Sequence, residues 1–110
     1  TEVHVLTAML EKNGFEVISA SSGEEGIEVA SKEHPDLVLM DVVMPGMNGF
    51  QATRKLTKNP ETESIPIIII TTKDQETDRV WGMRQGAKEY ITKPAQEADL
   101  MEKIKAALGS

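Results

Sequence analysis

Four short apolar runs, Phe15–Ala20, Leu37–Met40, Ile67–Ile70 and Tyr90–Thr92, recur at near-regular intervals along the chain. Each is rich in Val, Ile or Leu and only a few residues long, as strands buried on both faces of a sheet tend to be. The first mixes apolar with polar residues, which suits a strand nearer an edge. The stretches between the runs read as helices. Leu6, Met9 and Leu10 share a face ahead of a stop at Asn13-Gly14. Ser22-Gly23-Glu24-Glu25 has the form of a capping box with Ser22 at the N-cap, and Ile27 and Ala30 carry that helix toward Pro35. Phe50, Thr53, Arg54 and Leu56 lie on a third helix that ends at Asn59-Pro60. Asp74 to Gln85 makes a fourth, and Leu100, Ile104, Ala107 and Leu108 mark a fifth that ends at Gly109.

Strict alternation of helix and strand confines the fold to the α/β class: a doubly wound parallel sheet with helices on both faces. The 110 residues accommodate one such domain. The element count is uneven, however. Five helices alternate with four strands and the chain opens on a helix, whereas a crossover helix normally follows a strand. The expectation is therefore a domain, residues 1–110, that is N-terminally incomplete and lacks its first strand.

Composition narrows the function classes. With no cysteine, disulfide scaffolds, thiolate–zinc sites and thiol chemistry are excluded. A net charge of −6 argues against a nucleic-acid partner, because phosphate contacts need clustered Lys and Arg. The longest apolar run, Ile65 to Ile70, is broken by Pro66 and falls far short of the ~20 residues that span a membrane. With no basic-then-apolar leader, a cytoplasmic location is expected. His4 and His34 have no carboxylate cluster near them in sequence and are expected to be solvated.

In an open α/β sheet, ligands bind beyond the carboxyl ends of the strands. Three of those ends carry chemistry. The run Leu37–Met40 ends in Asp41, Ile67–Ile70 in Thr71-Thr72, and Tyr90–Thr92 in Lys93-Pro94. A carboxylate can act as nucleophile or metal ligand, a hydroxyl can donate to a phosphoryl oxygen, and an ammonium can neutralise anionic charge. Taken singly, each residue is better explained as a turn residue, a strand end or a solvated charge. Their coincidence on one rim points to a site for a phosphoryl group on a carboxylate.

Three motifs make the pattern specific. Leu37-Val38-Leu39-Met40-Asp41-Val42-Val43-Met44-Pro45-Gly46-Met47-Asn48-Gly49 resembles the phosphoacceptor loop of two-component response-regulator receiver domains. Ile70-Thr71-Thr72 resembles that family's switch segment, and Gly86-Ala87-Lys88-Glu89-Tyr90-Ile91-Thr92-Lys93-Pro94 its Gly-Ala…Tyr…Lys-Pro signature. Thr71–Lys93 is further similar to single-domain regulators of the twitching-motility and chemotaxis type. The resemblance implies a flavodoxin-like receiver fold with strand order 2-1-3-4-5, in which the missing strand would be central.

It also implies a mechanism. Asp41 would accept a phosphoryl group from a sensor histidine kinase or a phosphotransfer protein. Mg²⁺ would be held by Asp41 and the backbone carbonyl of Val43. Lys93 would pair with a phosphoryl oxygen, Thr71 would bond another, and Tyr90 would turn inward behind it. Lys93–Pro94 would be a cis peptide. A downstream protein would dock on the face built by the fourth helix, last strand and last helix, where Trp81 is either partly buried or a partner contact. The family's pair of acids at the end of a first strand is absent, and Glu2 is a lone acid better explained by the helix dipole. Met44 and Met47 are expected to fill space beside Asp41. Apolar Val43 cannot position a water, which implies slow self-dephosphorylation. Two other readings stand beside this one: a pseudo-receiver scaffold that is never phosphorylated, and an aspartyl-nucleophile phosphohydrolase. The second is disfavoured because such enzymes commonly need an acid where Val43 stands.

Overall fold

The computed structural model of the chain describes residues 2–43 and 46–109. Its elements are α1 (Glu2–Lys12), α2 (Gly23–Glu33), β1 (Val38–Met40), α3 (Gly49–Lys58), β2 (Ile67–Thr71), α4 (Glu76–Arg84), β3 (Glu89–Thr92) and α5 (Glu97–Ala107). The strands form one parallel sheet in the order β1-β2-β3. Val38 sits opposite Ile67, and Ile68 opposite Glu89, so the three strands end along a common edge.

The oligo-Ile strand β2 is the middle of the sheet, and all five of its residues are buried. Side chains alternate across a strand, so β2 feeds two cores. Ile67 and Ile69 pack with Met40, Tyr90, Ala30, Ala52 and Leu56 on the α2–α3 side. Ile68 and Ile70 pack with Ile91, Leu100, Met101 and Ile104, joined by the half-buried Leu6, Met9 and Leu10 of α1. This is the doubly wound arrangement that the alternating pattern predicts.

One expected strand does not form. Residues 15–20 are not a strand, and no backbone–backbone hydrogen bond spans residues 16–20 among the described residues. The element order therefore runs α1-α2-β1 at the start. In the receiver strand order this segment pairs only with the central first strand. Without that partner it has no ladder to join, and the side of β1 away from β2 is likewise unpaired among the described residues. Its apolar residues still dock in part: Phe15 packs against the α1–α5 core, while Ile18 is exposed.

Capping decides where the helices begin. The Ser22 side chain accepts from the Glu25 N–H at 3.1 Å, as expected of an N-cap. The Glu25 carboxylate, however, reaches past Ser22 to the N–H of Ser21 at 2.6 Å, so the box is displaced by one residue. A complete capping box forms instead at α3, where Asn48 and Gln51 exchange side-chain–backbone bonds of 3.0 and 3.1 Å. His34 caps α2 in the left-handed region, φ 48°, its N–H donating to the Ala30 carbonyl. Both histidines are exposed, as expected. The first and last helices are tied at the surface: Lys12 and Asn13 both donate to the Glu97 carboxylate, at 3.2 and 3.0 Å. Met44 and the side chain of Glu2 lie outside the described residues.

Candidate functional site

Asp41 follows the last residue of β1, Thr71 is the last residue of β2, and Lys93 follows the last residue of β3. In-register parallel strands thus bring the three to one edge. The Lys93 ammonium donates to Asp41 Oδ2 at 2.8 Å, and the Val43 N–H donates to Oδ1 at 3.1 Å. Thr71 is fully buried, and its hydroxyl lies near enough to the Asp41 carboxylate to help hold it anionic. Thr71 Oγ1 also accepts a long bond of 3.4 Å from the Lys73 N–H. The Lys93 side chain is 12% exposed and that of Asp41 33%.

Opposing effects set the charge on Asp41. Burial pushes its carboxyl up. The Lys93 ammonium, the Val43 N–H and the Thr71 hydroxyl more than offset this, and the group sits below its usual value of 3.8. Asp41 is therefore anionic at neutral pH, a carboxylate that is both aimed and open to solvent. Such a group can attack an electrophilic phosphorus.

The Asp41 loop is clamped from below. Gly49, the first residue of α3, donates to the Val42 carbonyl at 3.1 Å, and a Cβ there would collide with the Asp41 carbonyl and with Val42 Cα. Only a glycine lets the helix start this close to the loop. Behind Thr71 lies Tyr90, 1% exposed and turned inward. Its hydroxyl donates to the Lys73 carbonyl at 2.9 Å. Burial, with Asp78 next in weight, pushes this phenol above its usual value of 10.0, although Arg79 pulls it down. Lys93–Pro94 is cis.

The sequence pattern matches that of the response regulator receiver domain over residues 2–105. The chain belongs to the response-regulator receiver-domain family. It is 61% identical to Protein PilH of Pseudomonas aeruginosa over 98% of this chain and 89% of that protein. Solved receiver structures superpose closely. The receiver domain of a Pseudomonas aeruginosa sensor histidine kinase, crystallised with magnesium in its active-site cleft, has a TM-score of 0.91 and 28% identity, covering 99% of this chain and 89% of that one. The CheX–CheY–BeF3–Mg complex of Borrelia burgdorferi gives 0.87 and 26%, covering 94% of this chain and 78% of that one. This receiver domain is thus a flavodoxin-like module of two-component signalling. No helix among the described residues is long and apolar enough to cross a membrane.

The metal expectation can be weighed on the donors present. Among the described residues no group of three His, Asp or Glu side chains could hold a metal ion. Asp41 and the Val43 carbonyl are two oxygen donors on a solvent-open rim, the Val43 residue itself being largely exposed. Mg²⁺ is commonly held by one or two carboxylates, with water and phosphate oxygens completing its octahedron. The pair fits as part of such a shell.

Two contributors escaped the sequence reading. Gly49 had a signal, since Asn-Gly shortly after a strand-end Asp marks a tight return into a helix. Arg79 had none: its guanidinium lies 5.5 Å from the Tyr90 ring centroid and its Nη1 donates to the Tyr90 carbonyl at 3.3 Å. Met47 packs against the α2–α3 core, filling space as expected. Trp81 is 49% exposed, so about half of its surface is covered by the fold.

Proposed function

We propose that Asp41 is the phosphoacceptor of a phosphorelay. A carboxylate oxygen attacks the phosphorus of a phosphohistidine on a sensor kinase or phosphotransfer protein. The new O–P bond makes an acyl phosphate, the P–N bond breaks, and the imidazole leaves with the electron pair. Lys93 pairs with a phosphoryl oxygen and so offsets charge that the carboxylate alone would repel. Thr71 bonds a second oxygen, and Tyr90, the moving element of the switch, turns inward behind it. Asp41 and the Val43 carbonyl would hold Mg²⁺, which when bound neutralises phosphoryl charge. The output is protein contact on the α4–β3–α5 face, where Val80, Trp81 and Met83 are exposed. The single observation that carries this reading is one part-exposed carboxylate paired with Lys93, with the buried Thr71 beside it, at successive strand ends.

The lack of an acidic cluster among the described residues favours a second reading, a scaffold in which Asp41 stays unmodified. One experiment separates the two. The protein is incubated with Mg²⁺ and acetyl phosphate, its intact mass is measured and the adduct is mapped. A phosphoryl adduct lost in Asp41→Asn supports the phosphoacceptor. No adduct, or one that survives Asp41→Asn, refutes it.

A further inference from the structure

The fourth helix is held to the sheet in an unusual way. Of its nine residues only Gly82 is buried, while Val80, Trp81 and Met83 face solvent. Its N-cap, Gln75, makes no side-chain capping bond. An amphipathic helix normally docks by an apolar stripe; α4 presents none to the core. What joins it to β3 is Tyr90. Gly82 lies against one part of the ring, where a Cβ would come within 3.0 Å of Cδ2 and 2.8 Å of Ile69 Cδ1. Arg79, one turn earlier on the helix, covers the ring and bonds the Tyr90 carbonyl. The Tyr90 hydroxyl reaches the other way, to the Lys73 carbonyl in the segment that leads into α4. The tyrosine is thus gripped at its ring, its backbone and its hydroxyl, each time by α4 or by the residues leading into it.

We propose that Arg79 is a positioning residue for the switch, a latch that ties α4 to β3 and holds Tyr90 in its buried orientation. The inference rests on Tyr90 being the moving element of the proposed phosphorelay, but the latch itself acts through contacts to the ring and the backbone that need no phosphoryl group. The guanidinium makes two contacts at once, a cation–π contact and a charge-assisted hydrogen bond. Apolar packing offers little to replace them. Loss of Arg79 therefore loosens helix and tyrosine together, and shifts the Tyr90 orientation equilibrium outward by about fivefold to thirtyfold.

Tyr90 is the only tyrosine and Trp81 the only tryptophan, so both elements can be watched separately. The full chain is labelled with 3-fluorotyrosine, and its single ¹⁹F line is recorded for wild type, Arg79→Ala and Arg79→Lys without any phosphodonor. The expected result is a shift of the Arg79→Ala line toward that of the urea-unfolded chain, a larger H₂O/D₂O isotope effect on it, and easier acrylamide quenching of Trp81. Arg79→Lys, which keeps the charge but not the planar fork, is expected in between. An unmoved line and unchanged quenching in a folded Arg79→Ala protein overturn the proposal. If Arg79→Ala loses its far-UV circular dichroism, Arg79→Met, whose stem still covers the ring, carries the same test. Unfolding of both also overturns it, because Arg79 would then serve global stability rather than the switch. The measurement uses no phosphoryl transfer, so failure of the Asp41 reading leaves its outcome intact.

Discussion

Gly49 offers a test in which geometry and helix propensity give opposite answers. An Ala at a helix position is ordinarily better than Gly by about 1 kcal/mol. At Gly49, however, a Cβ would lie 2.7 Å from Val42 Cα and from the Asp41 carbonyl carbon. The Asp41 carbonyl oxygen would lie closer still, and ordinary contact begins near 3.4 Å, so backbone must retreat by more than about 0.7 Å on one side or the other. These are main-chain atoms of the Asp41 loop, not the end of a flexible side chain. Overpacking of this kind costs about 1–3 kcal/mol, which outweighs the propensity gain. Gly26, inside α2, is the control: its nearest neighbour would be Ala20 Cβ at 4.0 Å, with no clash. Urea unfolding should show Gly49→Ala destabilised by about 1–3 kcal/mol and Gly26→Ala stabilised by about 0.5–1 kcal/mol. The acetyl-phosphate reaction should slow in the first and not in the second, because only the first moves Asp41 relative to Lys93. Equal stabilisation by both substitutions would refute the close-approach argument.

Further outcomes can be checked in the same way. Lys93→Met removes the ammonium that holds Asp41 anionic, at a cost of about 1 kcal/mol at neutral pH after allowance for the partly exposed carboxylate. Because the folded carboxyl lies below its unfolded value, that contribution is present above the unfolded pKa and lost as pH falls through the folded one. The two proteins should therefore converge in stability on the acid side, as read by urea midpoints across pH. Tyr90 should titrate above 10.0 by near-ultraviolet absorbance, and stability should fall as pH rises through its folded pKa. Val43→Asn supplies a side chain able to orient water at the acyl phosphate and should speed its hydrolysis about fivefold, followed by loss of the mass adduct.

Most of the fold was readable because the strong signals are local. Ile67–Ile70 has no sensible place except the middle of a sheet, and the capped, Gly-terminated helices end within a few residues of their punctuation. The failure at Phe15–Ala20 was of another kind. That segment has strand composition, but a strand exists only through its ladder, and ladders are set by partners distant in sequence. The site was legible because topology alone carries the residues at the ends of β1, β2 and β3 to one edge. What holds the site was less so. The Glu25 carboxylate accepts from the Ser21 N–H rather than from that of Ser22, which the residue types alone do not distinguish. Arg79 belongs with Tyr90 only because α4 folds back across β3, and no spacing in the chain announces that contact.

The tie between the first and last helices has a consequence for how the molecule opens. None of the residues of α1 whose side chains are described is fully buried; the helix rests on Leu6, Met9 and Leu10 and on the surface bonds to Glu97. Residues 16–20 behind it have no backbone bonds among the described residues. In native-state hydrogen exchange, α1 should form a separate unit that opens at low free energy. The amides of β2, enclosed on both faces, should exchange only with global unfolding. The edge that carries Asp41, Thr71 and Lys93 belongs to that slow unit. A loosely held first helix and a rigid edge bearing Asp41 can therefore coexist in one small fold.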